Sequence, residues 1–147
     1  MSATFNSSAG SDLKAVFHWP VRVYWEDTDA GGVVYYANYL KFMERARSEW
    51  LRAFGFEQDV LRDEAGVVFV VRRVEVDYLA PARFNDQLDV SVTLLELGRA
   101  SLVLTQSLSR GNTRLVAAQV TLACVDATRF KPVKIPAPIL QVLAQAT

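Results

Sequence analysis

One cysteine, Cys124, and one histidine, His18, are all the chain holds of either residue. A lone cysteine excludes an internal disulfide framework and a cysteine-rich zinc site. A lone histidine excludes a two-histidine metal centre. A Ser-His-Asp triad would have to run through His18, which sits beside Trp19-Pro20 in a segment that reads as a strand entry. No G-x-S-x-G elbow occurs. Long apolar runs are missing too. The longest strongly apolar one is Val67–Val71, against the ~20 residues of a membrane helix. The start, MSATFNSSAGSDLK, has no basic opening and no apolar stretch, so no signal peptide is expected. Nor is there an excess of one charge. Lys+Arg and Asp+Glu each number 16, which leaves no basic field of the kind a general nucleic-acid binder needs. These absences predict a soluble protein of the reducing cytoplasm, with no membrane insertion, no nucleic-acid partner, no metal and no cofactor. Any catalysis falls to carboxylates, backbone dipoles and water.

What is present is apolar. Hydrophobic residues make up 51% of 147, enough for one domain with a real core. Residues 1–15 are small and polar and read as a disordered tail, and 16–147 as a single domain. Phe17–Trp25 alternates as a strand. Residues 38–54 carry Leu40, Met43, Ala46, Trp50 and Phe54 at helical spacing, with Gly55 as the stop. A connection over 56–66, with a short helix around Val60–Glu64, precedes a run of strands. These cover 67–78, 88–94, 101–110 and 114–126, with Phe130–Ile135 as an extension and Pro138–Ala146 as a terminal helix. A phase slip at Leu95 predicts a bulge or a strand end, and Gly111-Asn112-Thr113 predicts a hairpin turn. The fold class is α+β: an antiparallel sheet, mostly a meander, wrapped around one long central helix. One helix cannot cover both faces and the edges of such a sheet, so a homo-oligomer is expected.

The informative segment is Tyr24–Tyr39, YWEDTDAGGVVYYANY. Asp27 and Asp29 stand at i and i+2, Gly31 and Gly32 follow, and Asn38 opens the helix. A carboxylate in a loop before a helix N-terminus lies near free backbone N–H groups and the positive end of the dipole. Such N–H groups polarise a carbonyl, and the carboxylate activates water or attacks directly. Glycines without Cβ let backbone approach a ligand. The same residues also suit a plain acidic turn with Asp or Thr bonding the backbone. A calcium loop fails, because it would need an oxygen ligand at Gly31 and an acid at Asn38. Asn38 itself reads as a helix cap or as a polar contact in the site.

The stretches 19–52, 69–90 and 100–106 resemble the 4-hydroxybenzoyl-CoA thioesterase family, which has the hotdog fold. They are closer still to the Tol–Pal-associated acyl-CoA thioesterases of Gram-negative bacteria. The resemblance spans about residues 17–135. It implies hydrolysis of acyl-CoA, with Asp29 as the catalytic carboxylate and the Tyr36 backbone N–H polarising the thioester carbonyl. It also implies Arg99, in the turn Gly98-Arg99-Ala100, as a phosphate contact for CoA. A dimer of dimers with sites between subunits is implied as well, and an acyl carrier protein as a compatible partner. Two positions depart from the Tol–Pal-associated pattern. Tyr36 stands where a histidine is common, and Trp25 where a tyrosine is frequent.

Two other functions compete. A hotdog hydratase or dehydratase would need a histidine paired with an acid, and none lies near Asp29 in sequence. A non-catalytic acyl-CoA or acyl-carrier-protein sensor would keep the pocket but has no use for Asp29.

Overall fold

The apolar stripe of residues 38–54 forms helix α1, Asn38–Ala53, and the strands close around it. The computed structural model describes residues 4–7 and 15–146. Six strands form one antiparallel sheet: β1 Thr4–Ser7, β2 Ala15–Arg22, β3 Val67–Tyr78, β4 Gln87–Leu97, β5 Ser101–Arg110 and β6 Thr113–Asp126. Their spatial order is β1-β2-β4-β5-β6-β3. The sheet is thus a meander over β4–β6 only. β3, though third in sequence, occupies an edge beside β6. This is the hotdog arrangement.

Helix α1 buries Tyr39, Phe42, Met43, Ala46, Trp50 and Leu51 against Val21, Leu88, Val90, Leu104 and Val120 of the sheet. Leu40, counted in the expected stripe, lies exposed, and Phe54 is half-buried. The buried stripe is wider than the sequence spacing implied and includes Arg47. Its guanidinium reaches Gln106 Oε1 at 3.0 Å, and Gln106 donates to the Met43 carbonyl at 3.1 Å. Burial lowers the Arg47 pKa, so the Gln106 carbonyl offsets part of a desolvation penalty.

The connection over 56–66 holds a short helix, α2, at Gln58–Val60, which runs on as a wide turn through Leu61–Ala65. The Gly111-Asn112 turn joins Arg110 to Thr113, with Gly111 at φ 59°, where a side chain is disfavoured. The phase slip near Leu95 is a register shift between Leu94 and Glu96. The expected extension at 130–135 is reduced to one bridge, Val125 with Pro132. The terminal helix, α3, is Ala137–Gln145. The tail expected over 1–15 differs at Thr4–Ser7, which pair with Ala15–His18. That short strand satisfies backbone groups that β2 would otherwise present at an open edge. The remainder of the tail lies outside the described residues. Among the described residues no helix is long and apolar enough to cross a membrane.

Candidate active site

After β2 the chain makes one tight 3₁₀ turn, Trp25–Asp27. Thr28 and Val34 then pair as a small hairpin. It is closed by the Asp29 N–H on the Val33 carbonyl (2.9 Å) and the Gly32 N–H on the Asp29 carbonyl (3.0 Å). The hairpin docks on the loop between β3 and β4. The Val34 N–H bonds the Ala82 carbonyl at 2.8 Å, and Val33 bridges Arg83. Asp86 buttresses that loop, accepting from the Arg83 N–H at 2.9 Å and from Arg110 at 2.7 Å. Burial works against the Asp86 charge, but these donors outweigh it and hold the carboxyl below the usual range.

The two acids of the motif have separate surroundings. Asp27 is only 8% exposed, and its Oδ2 accepts the Tyr24 N–H at 2.8 Å. Asp29 is exposed at the hairpin, and its Oδ1 accepts the Gly31 N–H at 2.8 Å. Asp27 organises the turn, and Asp29 faces outward. A Cβ at Gly31 would lie 3.2 Å from Asp29 Oδ1, so the glycine leaves room for the carboxylate. Gly32 is required by its φ of 79°. Both glycines therefore shape the loop, a reason different from the close ligand approach expected of them.

Asn38 is the first residue of α1, and Ala37 is the N-cap, without a side-chain bond. Asn38 is thus not the cap. Its amide donates instead to the Asp27 carbonyl at 2.9 Å. The Tyr35 N–H bonds that same carbonyl at 2.9 Å, and the Asn38 N–H bonds the Tyr35 carbonyl at 2.8 Å. Among the described residues the Tyr36 N–H has no hydrogen-bond partner. An unpaired N–H just before a helix is the kind of donor an oxyanion uses.

Beside Tyr36 lies a cavity of about 280 Å³, walled by Val34, Tyr36, Tyr39, Tyr78, Leu79 and Pro81. The Tyr39 hydroxyl accepts the Ala82 N–H at 3.0 Å, and desolvation raises its pKa. Sequence reading missed Tyr39 and Tyr78 as walls. The spacing Tyr35-Tyr36-x-x-Tyr39 was a signal for the first. Tyr78 had none, since only the register of β3 brings it there.

Arg99 is not brought to this place. β4 starts at Gln87, paired with Arg22 near the hairpin, and ends at Leu97, paired with Leu102. The Arg99 turn follows that far end. An eleven-residue strand spans about 33 Å. Arg99 is exposed, and its side chain has no polar partner among the described residues. His18, near the sheet's other edge, pairs with Asp89 at 2.7 Å.

Comparison with known proteins converges on one group. A family model described as the thioesterase-like superfamily matches residues 23–143. The acyl-CoA thioester hydrolase YbgC of Escherichia coli O6:H1 is 48% identical over 126 residues, covering 85% of this chain and 93% of that protein. The acyl-CoA thioesterase YbgC of Haemophilus influenzae is 47% identical over 120 residues, covering 82% and 88%. The crystal structure of a probable thioesterase from Bartonella henselae superposes with a TM-score of 0.77 at 36% identity, covering 81% of this chain and 98% of that one.

Proposed function

The chain belongs to the thioesterase-like superfamily, and from that premise we propose that it hydrolyses acyl-CoA thioesters to free acid and CoA. The observation that carries the mechanism is the outward carboxylate of Asp29 on the same short segment as the unpartnered N–H of Tyr36. Asp29 takes a proton from water as the water oxygen attacks the thioester carbonyl carbon, or attacks that carbon itself and is released by water. Either route gives the same products. The carbonyl oxygen, now an oxyanion, accepts from the Tyr36 N–H. Its collapse breaks the carbon–sulfur bond and expels the CoA thiolate. The acyl group takes the tyrosine-walled cavity, with Gly31, Gly32 and Asn38 holding the loop around it.

Arg99 binds a CoA phosphate in this reading, and it does so for a neighbouring subunit's Asp29. Two observations support the shared arrangement. Arg99 and Asp29 lie at opposite ends of β4. The edge strand β3 exposes Val71 and Val74, apolar surface suited to burial between copies. A dimer of dimers in the cytoplasm, serving the Tol–Pal system and accepting acyl groups from CoA or acyl carrier protein, is the finer form suggested by the sequence resemblance.

The test is release of free thiol from a panel of short aliphatic, long aliphatic and aromatic acyl-CoAs. Turnover of at least one is expected. Binding without thiol release from any of them would replace the enzyme with a sensor.

A further inference from the structure

The Tyr36 backbone is held from both sides, and one of the holds comes from a distant strand. On its N-terminal side the Tyr35 carbonyl accepts the Asn38 N–H at 2.8 Å. In a planar trans peptide the N–H points opposite to the C=O, so this bond turns the Tyr36 N–H away from the helix. On its C-terminal side the helix does not claim the Tyr36 carbonyl, because Leu40 bonds Ala37 instead, at 3.2 Å. The Tyr36 carbonyl accepts the hydroxyl of Tyr78 at 3.2 Å.

Tyr78 is well placed to hold that atom. It ends β3, paired with Val116 of β6, and the next residue, Leu79, bonds the Leu115 carbonyl at 2.8 Å. Its ring stands edge-on to Tyr36, with centroids 6.2 Å apart, and leans on Tyr39 at 5.6 Å. Burial, then the neighbouring Tyr36 and Tyr39 phenols, raise its pKa, so the group is a donor at neutral pH.

We infer that the Tyr78 hydroxyl is a positioning group for the oxyanion donor, fixing the Tyr36 carbonyl so that the Tyr36 N–H stays aimed at the thioester oxygen. The inference rests on the thioesterase reading for its functional consequence. Tyr78 touches no reacting atom in this scheme. Its contribution belongs to kcat, because the aimed N–H matters most once charge develops on the oxygen.

The experiment is Tyr78→Phe, which keeps the ring and removes the hydroxyl. Tyr78 is 47% exposed, so the variant folds. Loss of one neutral hydrogen bond predicts kcat down about three- to tenfold with KM unchanged. A second readout is independent of turnover: the amide resonance of Tyr36 in protein labelled with ¹⁵N-tyrosine, which has five tyrosines. That resonance should shift and its exchange with solvent should quicken. Tyr78→Leu should raise KM as well, because the cavity wall goes with the ring. Unchanged kcat in the Phe variant of an active enzyme overturns the inference, as does a rise in KM alone. If the wild type releases no thiol, the thioesterase reading falls by itself. An unmoved Tyr36 amide would then also overturn the hold by Tyr78.

Discussion

The side-chain amide of Asn38 donates to the main-chain carbonyl of Asp27 at 2.9 Å. The first residue of the long helix is thereby tied to the turn that precedes Asp29. The same carbonyl takes the Tyr35 N–H, so one backbone oxygen sets the spacing between the acid loop and the start of the helix. A carboxylate on a mobile loop would lose orientation, whereas here it is referenced to a helix whose inner face is buried in the core.

Asp29→Asn should remove most turnover and leave the unfolding midpoint in urea nearly unchanged, because the carboxylate is exposed and its single recorded bond is to Gly31. Asp27→Asn should do the reverse. Its carboxylate is buried and holds the Tyr24 N–H, so stability should drop by about 1 kcal/mol with turnover only partly reduced. Equal small effects on kcat would reassign the reacting acid.

Tyr36→Pro deletes the N–H and keeps the chain. The position lies before α1, where no helical bond is lost, though Tyr35 becomes restrained. Removal of one oxyanion donor lowers rate by ~10²–10³, and circular dichroism should show the helix intact. Tyr36→Phe removes only the hydroxyl and should change kcat by no more than a few-fold. A Phe variant as slow as the Pro variant would make the phenol the working group.

Arg99→Ala should weaken acyl-CoA more than a short thioester without the nucleotide, because the contact is to phosphate. Co-refolding Arg99→Ala chains with Asp29→Asn chains gives a sharper result. In a shared site, each mixed pair carries one centre with both native residues and one with neither. Activity at low acyl-CoA should then exceed the average of the two parents. An exact average would put Arg99 and Asp29 to work within one subunit, or Arg99 to none.

Cys124 should be silent toward Ellman's reagent in the folded protein at pH 8 and react once per chain in urea. It is buried, and burial pushes its thiol up to about 11, leaving about a thousandth as thiolate at pH 8. In the unfolded chain the thiol ionises near 9.0. The folded state holds its proton longer, so this group's stabilisation is complete below about pH 9 and is lost as pH rises to about 11. Urea midpoints across that range measure it, with Cys124→Ala as the reference.

The helix, the five main strands and the acid loop were legible because each carries a local signal: helical spacing at Met43, Ala46 and Trp50, alternation at Val90 and Val92, and glycines at 31 and 32. The placement of β3 was not legible. Its apolar run Val67–Val71 reads as a strand, but nothing in it says that the partner is β6 rather than β4. The buried Arg47 was hidden for a related reason. A helix arginine is ordinarily solvated, and only the facing Gln106, fixed by the sheet, makes it otherwise. Within the candidate site, spacing alone marked only the acidic, glycine-bearing loop, and the choice of Asp29 and of the Tyr36 N–H came from the family resemblance. Tyr78 and Arg99 depend on which end of a strand they occupy, and that is a property of the whole sheet.

The edge position of β3 also governs when the molecule can fold. A ribosome completes Val67–Tyr78 well before Thr113–Asp126 exists, and β3 has its strand partner in β6. Until then the Val67–Val71 run has an open backbone on both sides, a template for pairing with other nascent chains. The last pair to become available joins Val67, the first residue of one strand, to Asp126, the last of the other. Such non-local closure makes for slow folding. A chain truncated inside β6 would therefore be a substrate for chaperones, with the helix and the acid loop already made and β3 left without its strand partner.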